Sequence, residues 1–339
     1  MITIEELDPF DDARLAEFHA VYVEADRHGR RYATPWALEE MAASLRNPSQ
    51  YERYLPFVAR DGGDVVGSAL MLLPLRDNLS QAEVDVHVLP ARRRQGIARS
   101  LARHLADVSR QHGRTTWNGW VPAGEVGEPE GMVHPGEHLA AALGLKLGLR
   151  DVQRRLELPV SESTLDTLLA QAAPAHRDYS FAAWAGRCPD EHVEAYCRLK
   201  AAMNSEAPTG DLEVEDQHWD EGRLREEEGT LRDSGRTRHV VVAVAADSTL
   251  AGHNELVVPQ HEPGVVWQWD TLVLPAHRGH RLGMALKVRN LRDVQAAHSD
   301  RTSVRTFNAD SNTHMVAVND AIGFVPVSYM GEWQGPAPA

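Results

Sequence analysis

Cysteine is nearly absent. Two occur in 339 residues, Cys188 and Cys197, which excludes a disulfide framework and any Cys-rich metal site; both read as buried thiols. Histidine is plentiful at 17 but scattered, with no HExxH pair, and no metal site is expected. No apolar run approaches the roughly 18 residues of a membrane-spanning helix. The opening MITIEELDPF lacks the cationic and apolar regions of a signal peptide, so a cytoplasmic protein without membrane contact is expected. Positive charge is also short: 35 Lys and Arg stand against 49 Asp and Glu, a net charge of −14. That argues against nucleic-acid partners, which want a basic face. Short basic runs such as Arg92-Arg93-Arg94 can still meet a phosphorylated small molecule. G-x-G-x-x-G does not occur, which weakens a dinucleotide-binding reading.

What is present is a stretch that occurs twice. Val265 to Lys287, VVWQWDTLVLPAHRGHRLGMALK, reads as strand, turn and helix start. β-Branched and aromatic residues fill Val266 to Leu274, Pro275 cannot continue a ladder, and helical spacing begins at Met284. A glycine-bearing turn that opens a helix presents free N–H groups at the positive end of the helix dipole, which makes an anion site. Arg278, His280 and Arg281 add donors, so the ligand implied is a phosphate or pyrophosphate. Val84 to Leu101, VDVHVLPARRRQGIARSL, lies on Trp269 to Leu286 at an offset of 185, with seven of eighteen positions identical. Asp85 meets Asp270, Pro90 meets Pro275, Arg93 meets Arg278, Gly96 meets Arg281 and Ala98 meets Gly283. A repeat at this spacing means a duplicated domain.

The pattern along the chain supports an α/β protein with a mixed sheet. Strands are expected at 2–7, 55–60, 65–73, 83–89, 115–121 and 150–158, the last closing the first copy. Helices are expected at 11–27, from Thr34-Pro35 to about 45, to about 112, and at 139–147. A domain at 1–159, a linker helix region at 160–178 and a second domain at 179–339 follow. In the second copy strands are expected at 179–185, 237–245, 250–258, 303–308 and 324–333, and helices at 190–203, 213–232, 286–297 and 313–322. The charged helix at 213–232 reads as a solvated face. Thr116-Trp117-Asn118-Gly119 resembles Thr306-Phe307-Asn308-Ala309, and Gly148-Leu149 resembles Gly323-Phe324. The offset falls from 190 to 175, so the first copy holds fifteen extra residues, within a Pro/Gly-rich loop at 122–136.

These residues resemble the GNAT superfamily of acyl-CoA N-acyltransferases. A pattern close to V-x-x-P-x-x-R-x-x-G-x-G/A appears from Val88 to Ala98, with one residue fewer between Val88 and Pro90, and again from Leu272 to Gly283, with Leu272 for the valine and Arg281 for the first glycine; the closing block appears as Asn312-Thr313-His314-Met315 to Gly323-Phe324. Two copies resemble the tandem class that includes mycothiol synthase. The resemblance implies two tandem GNAT domains with coenzyme A, as acetyl-CoA, on the turns. In the second copy Leu272, Val273, Leu274, Arg278, Gly279, His280, Arg281, Leu282, Gly283, Met284, Asn308 and Asn312 would hold it. In the first copy Val88, Arg93, Arg94, Gln95, Gly96, Ile97 and Ala98 would do so. Asn312 also suits a helix cap. Arg281 stands where the family has a glycine, and a helical φ there is expected, so that it only adds charge. The tyrosine that family members often place four residues before the glycine of the GF block is replaced by Asn319 and by Gly144.

The second copy is expected to be catalytic, and the first to bind CoA without turnover or to be structural. Asp270 and Glu255 are the candidate bases, with a water chain as the alternative, and Tyr329 is the candidate acid. Trp267, Trp269, Trp219 and the loop 204–212 are candidates to line an acceptor pocket. The expected function is acetyl transfer from acetyl-CoA to a primary amine of a small molecule, by direct attack in a ternary complex. Acyl-CoA binding without turnover, and acetylation of a peptide or protein, are the alternatives. The chain is expected to act as a monomer or homodimer.

Overall fold

A computed structural model of the protein describes residues 2–129 and 131–338. In chain order the first elements are β1 (Ile2–Glu6), α1 (Asp12–Arg27), α2 (Leu38–Arg46), β2 (Glu52–Asp61), β3 (Asp64–Pro74), β4 (Gln81–Val88), α3 (Ile97–Gln111), β5 (Thr116–Glu125), α4 (Pro135–Ala142) and β6 (Lys146–Glu157). Then come α5 (Glu162–Ala172), β7 (Ser180–Ala185), α6 (Val193–Glu206), α7 (Glu221–Asp233), β8 (Arg236–Val244), β9 (Leu250–Pro259), β10 (Val265–Val273), α8 (Leu282–Ala297), β11 (Ser303–Ala309), α9 (Thr313–Ile322) and β12 (Val325–Pro336). No helix among the described residues is long and apolar enough to cross a membrane.

The chain forms two compact units. The first is Met1–Asp151 with Thr209–Val214 and Ser328–Ala339; the second is Val152–Pro208 with Glu215–Val327. The strand expected to close the first copy, 150–158, instead gives residues 152–157 to the second unit. The first unit is completed by Ser328–Pro336, antiparallel to β5 with Gln334 opposite Asn118. Polar side chains fix that register. The Gln334 amide donates to Asn118 Oδ1 at 2.9 Å, and the Asn118 amide donates to Gln81 Oε1 at 2.7 Å. Side-chain amides have no apolar periodicity, so the pattern of hydrophobic residues could not reveal this pairing.

In the first unit the strand order is β1-β2-β3-β4-β5-β12. α3 covers one face through Ile97, Leu101 and Leu105, at helical spacing, against Ala69, Met71 and Trp117. α1 and α2 cover the other through Leu15, Phe18 and Met41. In the second unit the order is β6-β11-β10-β9-β8-β7. α5 and α8 pack on one face with Leu165, Val288 and Leu291, and α6 and α7 pack on the other with Tyr196, Leu199 and Leu224.

Several helix ends differ from expectation, among them the end of the helix expected at 139–147, which stops at Ala142 because β6 begins at Lys146. α2 starts at Leu38, with the Ala37 N–H bonded to the Glu40 carboxyl rather than a Thr34 cap. α4 starts at Pro135, where proline's missing N–H costs nothing. α7 starts at Glu221 because Asp220 caps it, its carboxylate accepting from the Arg223 N–H at 2.8 Å.

α8 carries Lys287 into the second unit with 3% of its surface exposed, facing the Phe324 ring at 5.6 Å. Burial pushes its ammonium down to about 7. The unfolded chain therefore binds this proton more tightly between pH 7 and the ordinary lysine range, and stability rises with pH across that window. Lys287→Met should raise stability at pH 7 by on the order of 2 kcal/mol and flatten the pH dependence above it. Chemical denaturation at pH 7 and pH 9.5 checks this; an unchanged slope between the two would contradict it.

Candidate acyl-CoA sites

Each unit contains a strand fork. In the first, β4 runs parallel to β5 only where Gln81–Glu83 face Thr116–Asn118. In the second, β10 meets β11 only where Val265–Trp267 face Ser303–Arg305, extended by the Thr306 hydroxyl donating to the Gln268 carbonyl at 3.1 Å. Beyond these points Val84–Val88 keep their pairing to β3 and Thr271–Val273 theirs to β9, with Trp269 and Asp270 in a register shift, and the other edge of each strand is left open. An open edge offers N–H and C=O groups to an extended amide-bearing ligand, as a missing strand would.

Each fork leads to a tight turn that opens a helix. In the first unit Arg94 has φ +65° and Gly96 has φ +84° before α3. In the second, Gly279 has φ +86° and Arg281 has φ +54° before α8. The expectation of a helical φ at Arg281 is therefore corrected. At the repeat offset of 185 these are the same two positions. Each turn places one glycine and one arginine in the left-handed region, in opposite order. Successive N–H groups in such a conformation form an anion-binding concavity, and it is preserved in both copies although the glycines are not aligned.

The side chains around the turns differ. Arg93 is folded back, donating to the carbonyls of Val88 and Ala25 at 3.4 and 3.1 Å, while Arg94, Gln95 and Gly96 are exposed and Ile97 is buried, with Ala98 half-buried. In the second unit Arg278 donates to the Val273 carbonyl at 3.3 Å and to Glu206 at 2.6 Å. His280 Nδ1 lies 2.9 Å from the Ala175 carbonyl, and Arg281 donates to the Gln171 carbonyl at 3.1 Å. Leu272 and Leu282 are core residues; Val273, Leu274, Gly283 and Met284 are half-buried. Asn312 caps α9, its side chain accepting from the Met315 N–H at 3.1 Å. Asn308 accepts from the Asn319 amide at 3.2 Å, and Asn319 is fully buried where family members often place tyrosine.

Behind the second fork lies a buried charge network. Glu255, fully buried on β9, accepts from the Tyr196 hydroxyl at 2.5 Å and from the Lys200 ammonium at 3.3 Å. Lys200 also reaches Asp270 at 3.0 Å and Glu227 at 3.7 Å. Arg238, 1% exposed, donates to Glu227. Burial opposes every charge here, yet the opposite charges outweigh it. Lys200 and His253 hold the Asp270 carboxyl well below the usual carboxylate range. Asp270, Glu227 and Glu255 hold Lys200 well above the lysine range. Burial and Glu255 push the Tyr196 phenol far up. α7 is therefore not simply a solvated face, since Glu227 and Glu228 turn toward Arg238.

Asp270 sits on an irregularity of β10. The register to β9 shifts between Gln268 and Thr271, whereas β4 pairs with β3 without a shift. An extra residue of this kind re-aims a side chain, and here it turns the 30% exposed Asp270 toward Lys200. His253, Glu255 and Asp270 have ligand atoms within 4.8 Å of one another, but the Lys200 ammonium already stands among them, so this group fits an internal ion pair better than a metal. Tyr329 belongs to the first unit, with Arg150 5.1 Å from its ring centre. Trp219 lies over Lys200 at 4.9 Å, whereas Trp267 bonds Glu262 and stacks on Phe307.

Tyr196, Lys200 and Arg238 were missed in the sequence. Tyr196 and Lys200 share the buried face of α6 with Val193, and Arg238 alternates inward with Val240 and Val242. Charges at apolar-period positions were the signal. The turns carry their own test. Arg281→Gly should stabilise the protein by about 0.5–1 kcal/mol, since a left-handed arginine costs roughly 1–2 kcal/mol and glycine's extra chain entropy returns part of it. Gly96→Ala should destabilise by about 1 kcal/mol. Denaturant midpoints measure both, and equal signs would contradict the paired geometry.

Residues 32–121 match the acetyltransferase (GNAT) family model. A search of curated proteins finds no match. Among solved structures, a tandem GNAT protein from the clavulanic acid biosynthesis pathway aligns over all of this chain and 99% of its own, with 29% identity and a TM-score of 0.80. A GCN5-related N-acetyltransferase from Sphaerobacter thermophilus aligns over all of this chain and 96% of its own at 14% identity and 0.67. Saccharomyces cerevisiae N-myristoyltransferase aligns over 98% and 79% at 10% and 0.58; these last two share the fold. The chain carries a tandem GNAT fold with a mixed α/β sheet, the architecture of an acyl-CoA-dependent acetyltransferase.

Proposed function

We propose that the second unit transfers an acetyl group from acetyl-CoA to a primary amine of a small molecule, by direct attack in a ternary complex. The observation that carries this reading is the position of Asp270: on the bulge, two residues past the fork, partly open to solvent and held ionised by Lys200. Acetyl-CoA is favoured by the likeness to the 29% identical tandem GNAT protein, whose structure is of a form without AcCoA, and the tandem order suits the mycothiol synthase-like class.

The cofactor's pyrophosphate would sit on the N–H groups from Gly279 to Gly283, with Arg278, His280 and Arg281 around it. Its amide arm would follow the open edge of Trp269–Val273, which brings the thioester toward the fork. The amine arrives as an ammonium, drawn by the carboxylates behind the fork. After a proton passes to water, the amine nitrogen donates a hydrogen bond to Asp270 and attacks the thioester carbon. Backbone N–H groups of the open edge polarise the carbonyl. As the carbon–sulfur bond breaks, the nitrogen, now bonded to the acyl carbon, gives its second proton to water, and the thiolate takes a proton from solvent. With its carboxyl so far below neutrality, Asp270 is a weak proton acceptor, so its main contribution is orientation. Glu255 and Tyr196 hold Lys200, and Lys200 holds Asp270.

Acyl-CoA binding without turnover is the second reading, favoured by Asn319 in place of tyrosine. One assay separates the two: thiol release from acetyl-CoA with a panel of primary alkylamines. Asp270→Asn should lower the kcat/KM of the second unit about 100-fold and leave acetyl-CoA affinity unchanged. Absence of amine-dependent thiol release from the unaltered protein would favour binding alone.

A further inference from the structure

α8 carries one stripe at positions 282, 286, 289 and 293, the spacing of a single helix face. Its first half is apolar: Leu282 and Leu286 pack on Val241 and Ala243 of β8. Its second half is charged, since Arg289 and Asp293 continue the same period. At the repeat offset of 185 the first copy has Ile97, Leu101, His104 and Val108, so the charge pair belongs to the second unit alone. Beneath the charged half the sheet is apolar. Phe181 and Ala183 of β7 stand opposite Ala243 and Val241, and opposed residues share a face. β7 ends the strand order of this unit, and the small Ala183 leaves room above it. A cavity of about 240 Å³ results, lined by these residues and by Leu169 of α5, with Arg289 and Asp293 on its wall.

The two wall charges have no partners. Four residues apart on a helix, their Cβ atoms lie about 5–6 Å from each other, yet they form no ion pair among the described residues. Arginine before aspartate is the weaker order for such a pair. The Arg289 guanidinium instead stands over the Phe181 ring, 4.1 Å from its centre, and the His176 ring braces Phe181 edge-on at 5.4 Å. Arg289 Nε is sealed from solvent and bonded to nothing. Arg292, also on the wall, differs. Glu162 and Asp166 of α5 hold it at 3.0 and 2.6 Å, which uses its charge.

A cation alone in this cavity would leave Arg289 unpaired, and an anion alone would be left facing Asp293. A molecule with both charges on neighbouring groups answers both walls, and an apolar remainder answers the floor. The volume is below that of a drug-sized pocket. We propose that this cavity binds a free α-amino acid with an apolar side chain, its carboxylate on Arg289, its ammonium on Asp293 and its side chain over Phe181, Ala183 and Val241. The bound amino acid is not the acetyl acceptor. Tyr196 packs on the opposite face of β8, with Val240 and Val242, and that face carries the network around Asp270. Nor does it touch the acyl-CoA turn, since Arg289 stands about 9 Å along α8 from Gly283 at helical rise.

The test is calorimetric titration of the full chain with L-leucine. Two analogues are read by their power to displace it: 4-methylpentanoate, which lacks the ammonium, and 3-methylbutylamine, which lacks the carboxylate. One equivalent of L-leucine should bind, with and without saturating acetyl-CoA, and each analogue should be weaker by about 10-fold or more. Arg289→Met should weaken L-leucine and 4-methylpentanoate by about 10-fold or more and spare the amine; Asp293→Asn should weaken L-leucine and the amine and spare the acid. An unchanged melting temperature shows that these variants fold. Absence of saturable L-leucine binding at millimolar concentration would overturn the inference, as would binding that neither substitution alters. Loss of L-leucine binding on Asp270→Asn, or on adding acetyl-CoA, would also overturn it, because the amino acid would then sit at the fork.

Discussion

A strand that leaves its neighbour must find other partners for its backbone. This constraint shapes both units. β4 and β10 each pair with a parallel neighbour for three residues and then part from it. The N–H and C=O groups left along Val84–Val88 and Trp269–Val273 are too costly to bury unpaired, so the fork stays open to water or to a ligand with the spacing of a peptide. The turn that follows has two left-handed residues in each copy. Fork and turn together define a ligand with a linear amide arm at one end and an anion at the other, which is the description of an acyl-CoA.

The copies keep that cradle and diverge behind it. In the second unit Lys200 and Arg238 are buried among Glu227, Glu255 and Asp270. Removing either cation would leave carboxylates unpaired in a low-dielectric interior, a loss of roughly 3–5 kcal/mol; the network fixes the orientation of Asp270 more than it adds stability. In the first unit Leu70 occupies the place of Glu255, Ser68 that of His253, and titratable groups instead line β4 itself. One unit has a rigid ion pair next to its fork, the other an open row of proton-exchanging groups.

The strand-turn-helix stretches were legible because hydrophobic periodicity, a proline stop and a glycine turn coincide there and because the chain repeats them. The hairpins and α8, α9 and β11 followed for the same reason. What stayed hidden depended on partners distant in sequence. The pairing of 328–336 with β5 rests on side-chain amides. The inward turn of α7 rests on Arg238, which a strand pattern alone leaves as one polar residue among valines. The left-handed φ at Arg281 escaped because arginine hides what glycine would have announced, and the bulge at Asp270 changes register without changing composition. Tyr329 was placed by its strand, but that strand's residues from 328 onward belong to the first unit.

The central claim is that both turns are working acyl-CoA cradles despite their swapped glycine and arginine. Isothermal titration of the intact protein with acetyl-CoA tests it directly. The account predicts two equivalents bound per chain, one lost on Arg94→Glu and the other on Arg278→Glu. A single equivalent, unaffected by one of these substitutions, would contradict it.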